Sequence, residues 1–190
     1  KPEYIKITTS EVSREEAVIG IDLLRADGTS VIQKYYKDFA SGWNFALECL
    51  QTLAYDRLVV DLYADWNTNE YGVVTIPEKA RVTLNLGGHT INRGEIHSDW
   101  DGEVIYVGPN ADVIINDGTI TGGNSETGAG GIHIKDNAKV LLNDVKVDNN
   151  KSKGTNGAAI AVYNGATLVM NGGSLSDNFM DRDTIPIVVI

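Results

Sequence analysis

The sequence predicts a mainly β protein: a right-handed parallel β-helix (solenoid) of about four coils, with an N-terminal helical cap and a small β appendage. Three observations predict this fold. A segment of about 28 residues recurs four times, glycine and asparagine are concentrated in the same region, and a helical pattern precedes the first copy. Of 20 glycines, 17 lie from Gly72 onward, and 13 of 16 asparagines lie between Asn85 and Asn178. The two parts of the chain are therefore built differently.

Each copy of the repeat contains a six-residue segment that begins with alanine and ends with asparagine, at residues 80–85, 111–116, 138–143 and 166–171. The four alanines are separated by 31, 27 and 28 residues. Within each copy, a pair of aliphatic residues precedes this segment, namely Val74 and Ile76, Ile105 and Val107, Ile132 and Ile134, and Ile160 and Val162. A single aliphatic residue follows the segment in each copy, namely Ile91, Ile120, Val147 and Leu175. Each copy thus holds three short runs of alternating polarity, which is the pattern of strands with one buried face.

None of these strands is long enough to bury a core alone, so the copies are predicted to stack as coils ~4.8 Å apart. The alanines and aliphatic residues then line the interior. Four asparagines are expected to stack at one corner, with amides bonding from coil to coil: Asn85, Asn116, Asn143 and Asn171. An antiparallel sandwich is the alternative, because the Asn-Gly pairs can supply hairpin turns. A sandwich gives no reason for recurrence in register, and the β-helix is therefore favoured.

One stretch of the first copy carries a family resemblance. Residues 76–91, and above all the run Asn-Leu-Gly-Gly-His-Thr-Ile at 85–91, resemble the first coil of right-handed parallel β-helix modules of the pectate-lyase-like superfamily. The similarity is strongest to modules of large bacterial surface proteins and phage tailspikes, and it covers roughly residues 58–190. That superfamily includes lyases, hydrolases, adhesins and proteins without catalysis. The resemblance therefore implies a fold and not an activity.

The chain is expected to divide at residues 40 and 57. Residues 41–57 are predicted to form a capping helix with Ser41 as its N-cap and an apolar face made of Ala46, Cys49, Leu50, Leu53 and Ala54. Residues 1–40 hold a hairpin signal around Asp27-Gly28 and are predicted to form a β appendage or part of the cap. Residues 58–190 are assigned to the solenoid. The run 185–190 is predicted to open a fifth coil, so that this solenoid is truncated or its end is covered by a partner chain.

Charge and cysteine content exclude several classes of protein. The net charge is -10, whereas a nucleic-acid binder normally shows a basic footprint and an anionic membrane attracts basic segments. No apolar run approaches the ~18 residues of a membrane span. Cys49 is the only cysteine, which excludes an intrachain disulfide and a cysteine-based zinc site. Its place in the helical pattern predicts a buried packing role.

Candidate ligand-binding residues are grouped in the loop His97-Ser-Asp99-Trp100-Asp101. Carboxylates, an imidazole and an indole suit a sugar site, because acidic groups can supply acid–base chemistry and aromatic rings can stack on sugars. The other histidines are interpreted structurally. His89 is expected to bond a neighbouring turn, His133 is expected to face solvent, and Arg93 is placed in a variable loop.

Calcium is considered because the resemblance implies it: polysaccharide lyases of this fold bind it through stacked aspartates. Asp117 and Asp144 occupy equivalent positions in adjacent copies, and stacked carboxylates favour a cation. The flanking copies offer only Leu86 and Gly172, so two ligands remain. No cofactor is therefore predicted, with calcium kept as the weaker alternative.

The function predicted is a non-catalytic extracellular module of a bacterial surface protein, acting as a stalk or in adhesion to a glycan or host-surface ligand. The alternatives are a fragment of a polysaccharide lyase or glycoside hydrolase, and a trimeric phage tailspike receptor-binding protein. The chain is expected neither to bind nucleic acid nor to insert into a membrane. The sequence leaves open whether the chain is a monomer or a homotrimer.

Overall fold

The computed structural model describes residues 10–52, 54–95, 102–126, 128–153 and 157–180, together with the backbone of 187–189. The protein is mainly β, with 48% strand and 11% helix, and it forms a β-solenoid of about four turns. This confirms the predicted fold class. A short 3-10 turn, Arg14–Glu16, precedes the first strand of the described chain.

The elements follow one another in the order that the repeat predicts. The cap region holds β1 (Ile19–Leu24), β2 (Ser30–Tyr36) and α1 (Phe39–Thr52). The first coils hold β3 (Arg57–Leu62), β4 (Trp66–Asn67), β5 (Val74–Ile76), β6 (Arg81–Asn85) and β7 (Thr90–Asn92). The next two hold β8 (Ile105–Val107), β9 (Asp112–Thr121), β10 (Asn124–Ser125), β11 (Ile132–Ile134), β12 (Lys139–Asp148) and β13 (Lys151–Ser152). The last hold β14 (Ile160–Val162), β15 (Thr167–Asn171), β16 (Ser174–Ser176), β17 (Phe179–Met180) and β18 (Ile187–Val189).

Equivalent strands pair in parallel from coil to coil. One sheet has the order β15-β12-β9-β6-β3, a second has β18-β14-β11-β8-β5, and a third has β10-β13-β17. Val82, Val113, Val140 and Leu168 are successive partners in the first sheet. The aligned copies of the sequence are therefore aligned coils of the structure, as predicted.

The interior is lined by the residues that the repeat marks as apolar. Ala80, Ala111 and Ala138 are at most 3% exposed, and the aliphatic pairs of the second sheet are equally buried. Because each coil places aliphatic side chains directly over those of its neighbours, one continuous core runs along the solenoid.

The corners between strands use left-handed backbone, which explains where asparagine, aspartate and glycine collect. One corner precedes each repeat alanine, and the others follow the repeat asparagine and the third strand. Residues with positive φ form three columns: Lys79, Asn110, Asn137 and Gly165; Asp117, Asp144 and Gly172; Gly122, Asn149 and Asp177. The repeat asparagines are outside these columns: Asn85 and Asn171 end their strands, and Asn116 and Asn143 lie within β9 and β12. None of the four has positive φ, because the residues that follow them make the turn: Gly87 and Gly88 in the first copy, and Asp117, Asp144 and Gly172 in the others.

The N-terminal hairpin is joined to the solenoid. β1 pairs antiparallel with both β2 and β3, so the first sheet continues from the coils into the cap. The predicted hairpin is confirmed, and it covers the edge that β3 would otherwise expose.

The helix begins earlier than predicted. Asp38 is its N-cap in place of Ser41, because the Asp38 Oδ1 atom accepts a hydrogen bond of 2.8 Å from the Ser41 amide. The helix ends at Thr52. Ala54, which was predicted to belong to its apolar face, lies after the helix and is exposed.

The helix packs through a face slightly rotated from the predicted one. Gly42, Trp43, Ala46 and Cys49 are buried, whereas Leu50 is only partly buried. Trp43 lies 6.0 Å from the ring of Trp66 on the first coil. Cys49 is 2% exposed, as predicted, and burial raises the pKa of its thiol to about 11. Leu53 lies outside the described residues.

At the other end of the solenoid, β18 pairs in parallel with β14 and places Ile187 opposite Ile160. A strand opening a fifth coil is therefore present, although its register begins two residues later than the predicted Ile185. Among the described residues, no helix is long and apolar enough to cross a membrane.

Candidate functional site

The outer face of the first sheet carries three columns of side chains that cross the coils. A charged column begins at Arg57 and an apolar column begins at Val59, while an amide column begins at Asp61. Successive strands add Arg81, Asp112, Lys139 and Thr167 to the charged column, Thr83, Ile114, Leu141 and Val169 to the apolar column, and the four repeat asparagines to the amide column. Because side chains alternate along a strand, all three columns point away from the core.

The amide column is a continuous hydrogen-bonded ladder. Each Nδ2 atom donates to the Oδ1 atom of the preceding coil, at 3.1 Å from Asn171 to Asn143, 2.8 Å from Asn143 to Asn116 and 2.8 Å from Asn116 to Asn85. Asn85 donates to the Asp61 carboxylate at 2.7 Å. The predicted ladder is confirmed, and its direction is set by Asp61, because an ionised carboxylate only accepts.

Substitution within this ladder is expected to cost stability according to position. Asn116 both donates and accepts, so Asn116→Ala removes two hydrogen bonds and is expected to lower the free energy of unfolding by about 2 kcal/mol. Asn171→Ala removes one bond from the end of the described ladder and is expected to cost about 1 kcal/mol or less. Urea unfolding of both variants measures the difference. Equal losses of unfolding free energy in the two variants would contradict this dependence on position in the ladder.

The charged column is largely neutralised by ion pairs between coils. Arg57 Nη2 lies 3.1 Å from Asp112 Oδ2, and Arg81 Nε lies 3.5 Å from the same oxygen. Arg81 also pairs with Asp56. Lys139 is exposed and has no ion-pair partner among the described residues. One unpaired cation therefore borders this face of an otherwise acidic protein.

The apolar column forms the floor of a groove of about 320 Å³. Ile114, Leu141 and Val169 contribute outward side chains, and Asp112, Lys139 and Thr167 border them on one side. Val169 is 45% exposed, which is unusual for a large aliphatic side chain in this molecule. The groove therefore joins an apolar floor to polar groups, with the amide ladder two residues further along each strand.

The predicted ligand-binding loop cannot be placed on this groove. His97, Asp99, Trp100 and Asp101 lie outside the described residues. Their proposed role stays a prediction from sequence.

Asp117 and Asp144 lie at the same corner of adjacent coils, as predicted. Both are exposed and take left-handed backbone, with φ of 47° and 52°. The equivalent residue of the next coil is Gly172, whose place for a Cβ atom lies 2.1 Å from Asp144 Oδ1. Among the described residues, no group of three potential metal ligands occurs. The left-handed turn gives these aspartates a structural explanation.

His133 is not solvent-facing, so this prediction is wrong. Its side chain points outward from β11 but is only 13% exposed. Its ring lies 5.4 Å from Tyr106 and 4.8 Å from Tyr163, and a Cβ atom on Gly128 would lie 3.0 Å from its Nδ1 atom. Adjacent coils and the segment that carries Gly128 therefore cover a residue that strand alternation alone exposes.

A buried carboxylate accompanies this histidine. His133 Nδ1 lies 3.6 Å from Glu103 Oε1, and the Glu103 side chain is 6% exposed. Among the described residues, Glu103 Oε2 and His133 Nε2 have no hydrogen-bond partner. Burial, followed by the charges of Glu103 and Asp136, raises the pKa of the Tyr106 phenol above its ordinary value.

His89 lies in the Gly87-Gly88 turn, with its Nδ1 atom 3.5 Å from Asp65 Oδ1 of the preceding coil. Its expected hydrogen bond to a neighbouring turn stays a prediction. Both glycines take positive φ, which accommodates the two extra residues of the first copy.

Comparison with known proteins adds no relative: no family model, curated protein or solved structure matches this chain. The fold is therefore described as a parallel β-solenoid without a family assignment.

Proposed function

We propose that this chain is a non-catalytic, carbohydrate-binding module of a bacterial surface protein, displayed outside the cell, and that its β-helix is of the pectate-lyase-like type. The observation that supports the proposal is the outer groove, where Ile114, Leu141 and Val169 form an apolar floor across three coils. The resemblance of residues 85–91 supports the type of β-helix.

The groove matches the chemistry of a sugar chain. A sugar ring presents apolar C–H groups on its faces and hydroxyl groups around its edge. The aliphatic floor suits the face, and binding sites generally combine such a floor with a few polar groups that fix orientation. Asn85, Asn116 and Asn143 each use one N–H and one oxygen lone pair within the ladder, and Asn171 uses one N–H. Further donor and acceptor capacity therefore remains for hydroxyls.

The repeat also suits a polymeric ligand. Equivalent side chains recur with the ~4.8 Å spacing of parallel strands, so successive units of a chain meet similar groups. Thr167 and Lys139 offer a hydroxyl and an ammonium group along one side of the floor. Binding to several units at once increases affinity without a deep pocket.

The test is calorimetric titration of the intact chain with neutral and acidic oligosaccharides. A groove ligand is expected to bind Leu141→Asn at least tenfold more weakly, a loss of about 1.4 kcal/mol, because the substitution makes the floor polar. Lys146→Asn is the matched control, since Lys146 lies on the same strand, is exposed and does not line the groove. Absence of binding across the panel, or equal affinity for both variants, would overturn the proposal.

A second function is favoured by one observation, the buried Glu103–His133 pair beside Tyr106 and Tyr163. An imidazole oriented by a carboxylate is a general acid–base arrangement, and the corresponding activity is that of a polysaccharide lyase or glycoside hydrolase. Product formation in the same oligosaccharide panel, abolished by His133→Asn with folding intact, would replace the non-catalytic proposal. Turnover retained by that variant would exclude His133 from the chemistry.

A further inference from the structure

A buried arginine lies at the corner after β7, away from the groove and the histidine. Arg93 is 4% exposed, and its backbone amide donates to Thr121 at 3.0 Å. Its Nε and Nη1 atoms are buried and have no hydrogen-bond acceptor among the described residues. The prediction from sequence placed this residue in a variable loop, so its burial is a correction.

A second buried polar group lies beside Arg93 in the register of the coils. Asn67 is the register partner of Asn92, so Thr68 lies next to Arg93 in the adjoining coil. Thr68 is fully buried, and its Oγ1 atom has no partner among the described residues. On the other side of Arg93 the register brings Gly122, which contributes no side chain.

The corresponding corner of later coils shows how such groups are normally satisfied. Asn150 is fully buried, and its Nδ2 atom donates to the carbonyls of Asp148 and Ile120 at 2.9 and 3.2 Å. Its Oδ1 atom accepts from Gly123 at 3.0 Å. The unsatisfied donors of Arg93 therefore contrast with the satisfied amide of Asn150 at the later corner.

No carboxylate within the described part of the chain forms an ion pair with Arg93. Guanidinium stays protonated at any ordinary pH, so it cannot escape burial by losing its charge. The nearest carboxylate along the described chain, Glu95, is exposed and pairs with Lys151. A buried unpaired charge is strongly destabilising, and an anion that supplied acceptors would relieve this cost.

We infer that Arg93 and Thr68 form a binding site for a small oxyanion at the first corner of the solenoid. The guanidinium supplies charge-assisted donors from Nε and Nη1, and the Thr68 hydroxyl supplies a further donor. Phosphate, sulfate and carboxylate groups share the acceptor geometry that guanidinium recognises. The site is independent of the outer groove and of the proposed carbohydrate ligand.

Thermal unfolding of the intact chain tests the site, with inorganic phosphate, sulfate and acetate compared at constant ionic strength in sodium chloride. Binding to the folded state raises Tm, by on the order of 5 °C when the anion is present at 100 times its Kd. Arg93→Gln is expected to abolish this rise. Arg81→Gln is the control for a general loss of positive charge, because Arg81 is 45% exposed and paired on the surface.

Two further variants keep the test decisive if Arg93→Gln does not fold. Arg93→Lys keeps the charge but loses the planar fork, so the rise in Tm is expected to shrink. Thr68→Val keeps the shape and removes the unpartnered hydroxyl. Without anion, this variant is expected to have a higher Tm than the parent. When anion is added, its Tm is expected to rise less than that of the parent.

Two results would overturn the inference. The first is an equal anion response in the parent and Arg93→Gln, which would show the general salting effect of sulfate and phosphate. The second is a response that appears only in an Asp99→Asn, Asp101→Asn double variant, which would show that the chain supplies its own counter-ion. An unchanged response in that double variant supports the site.

Discussion

Asn150→Ala is expected to lower the free energy of unfolding by about 3 kcal/mol or more. The side chain is fully buried and joins three coils, because its amide bonds Ile120 and Gly123 of the preceding coil, Asp148 of its own coil and the Asn178 Oδ1 atom of the next. Alanine removes all of these bonds inside the protein, and a buried polar group that is left without a partner costs roughly 1–3 kcal/mol. Equilibrium unfolding in urea measures the loss.

Asn164→Ala is the matched control for this substitution. Asn164 is also a corner asparagine, but it is exposed and only its backbone carbonyl bonds the neighbouring coil, at 3.0 Å from Asn137 N. A change within about 0.5 kcal/mol is expected. Comparable losses for the two variants would show that the corner sequence, and not the buried amide, determines stability.

Gly123→Ala is expected to lower the free energy of unfolding by about 3 kcal/mol or more, as much as Asn150→Ala. A Cβ atom at this position would lie 1.7 Å from the carbonyl oxygen of Gly130 and 2.4 Å from its carbonyl carbon. These are backbone atoms of a fully buried residue, so no side-chain rotation can relieve the overlap. The coil must shift as a whole, and the measurable result is a lower urea midpoint or loss of the folded protein.

Gly88→Ala separates this steric effect from the general effect of replacing glycine. Gly88 has φ of 82° and open space around its missing Cβ atom, so alanine there meets only the strain of left-handed backbone, roughly 1–2 kcal/mol. A larger loss for Gly88→Ala than for Gly123→Ala would contradict the close coil contact at Gly130.

The repeat made most of the fold predictable. Alanine and asparagine at fixed spacing identified strands, inward faces and the ladder from Asn85 to Asn171, because each coil repeats the same physical environment. The ladder's last acceptor, Asp61, was not predicted, since the coil that holds it lacks the repeat motif.

The failures at His133 and Arg93 share one cause, which is contact between coils and the segments connecting them. Alternation along β11 correctly pointed His133 outward, but it could not show that Gly128 and two tyrosines cover it. One feature of the sequence could have indicated that Tyr106 lies beside His133. Tyr106 and His133 each stand between the paired aliphatic residues of their copies, so the alignment itself places them in one column.

Arg93 illustrates the same limit at a corner. A polar, glycine-containing context is typical of exposed loops, and nothing in one sequence marks an arginine within it as buried. Its burial follows from the close stacking of Thr68 and Gly122 on either side, which depends on the register of three coils.

The ladder has a consequence for how the chain folds. Its bonds join residues 24 to 31 apart, so every coil forms its rungs on the coil before it. The hairpin of β1 and β2 and the helix next to it pack against elements that are close in sequence, and local contacts form fastest. Folding is therefore expected to start at this end and proceed coil by coil, with Asp61 receiving the first amide.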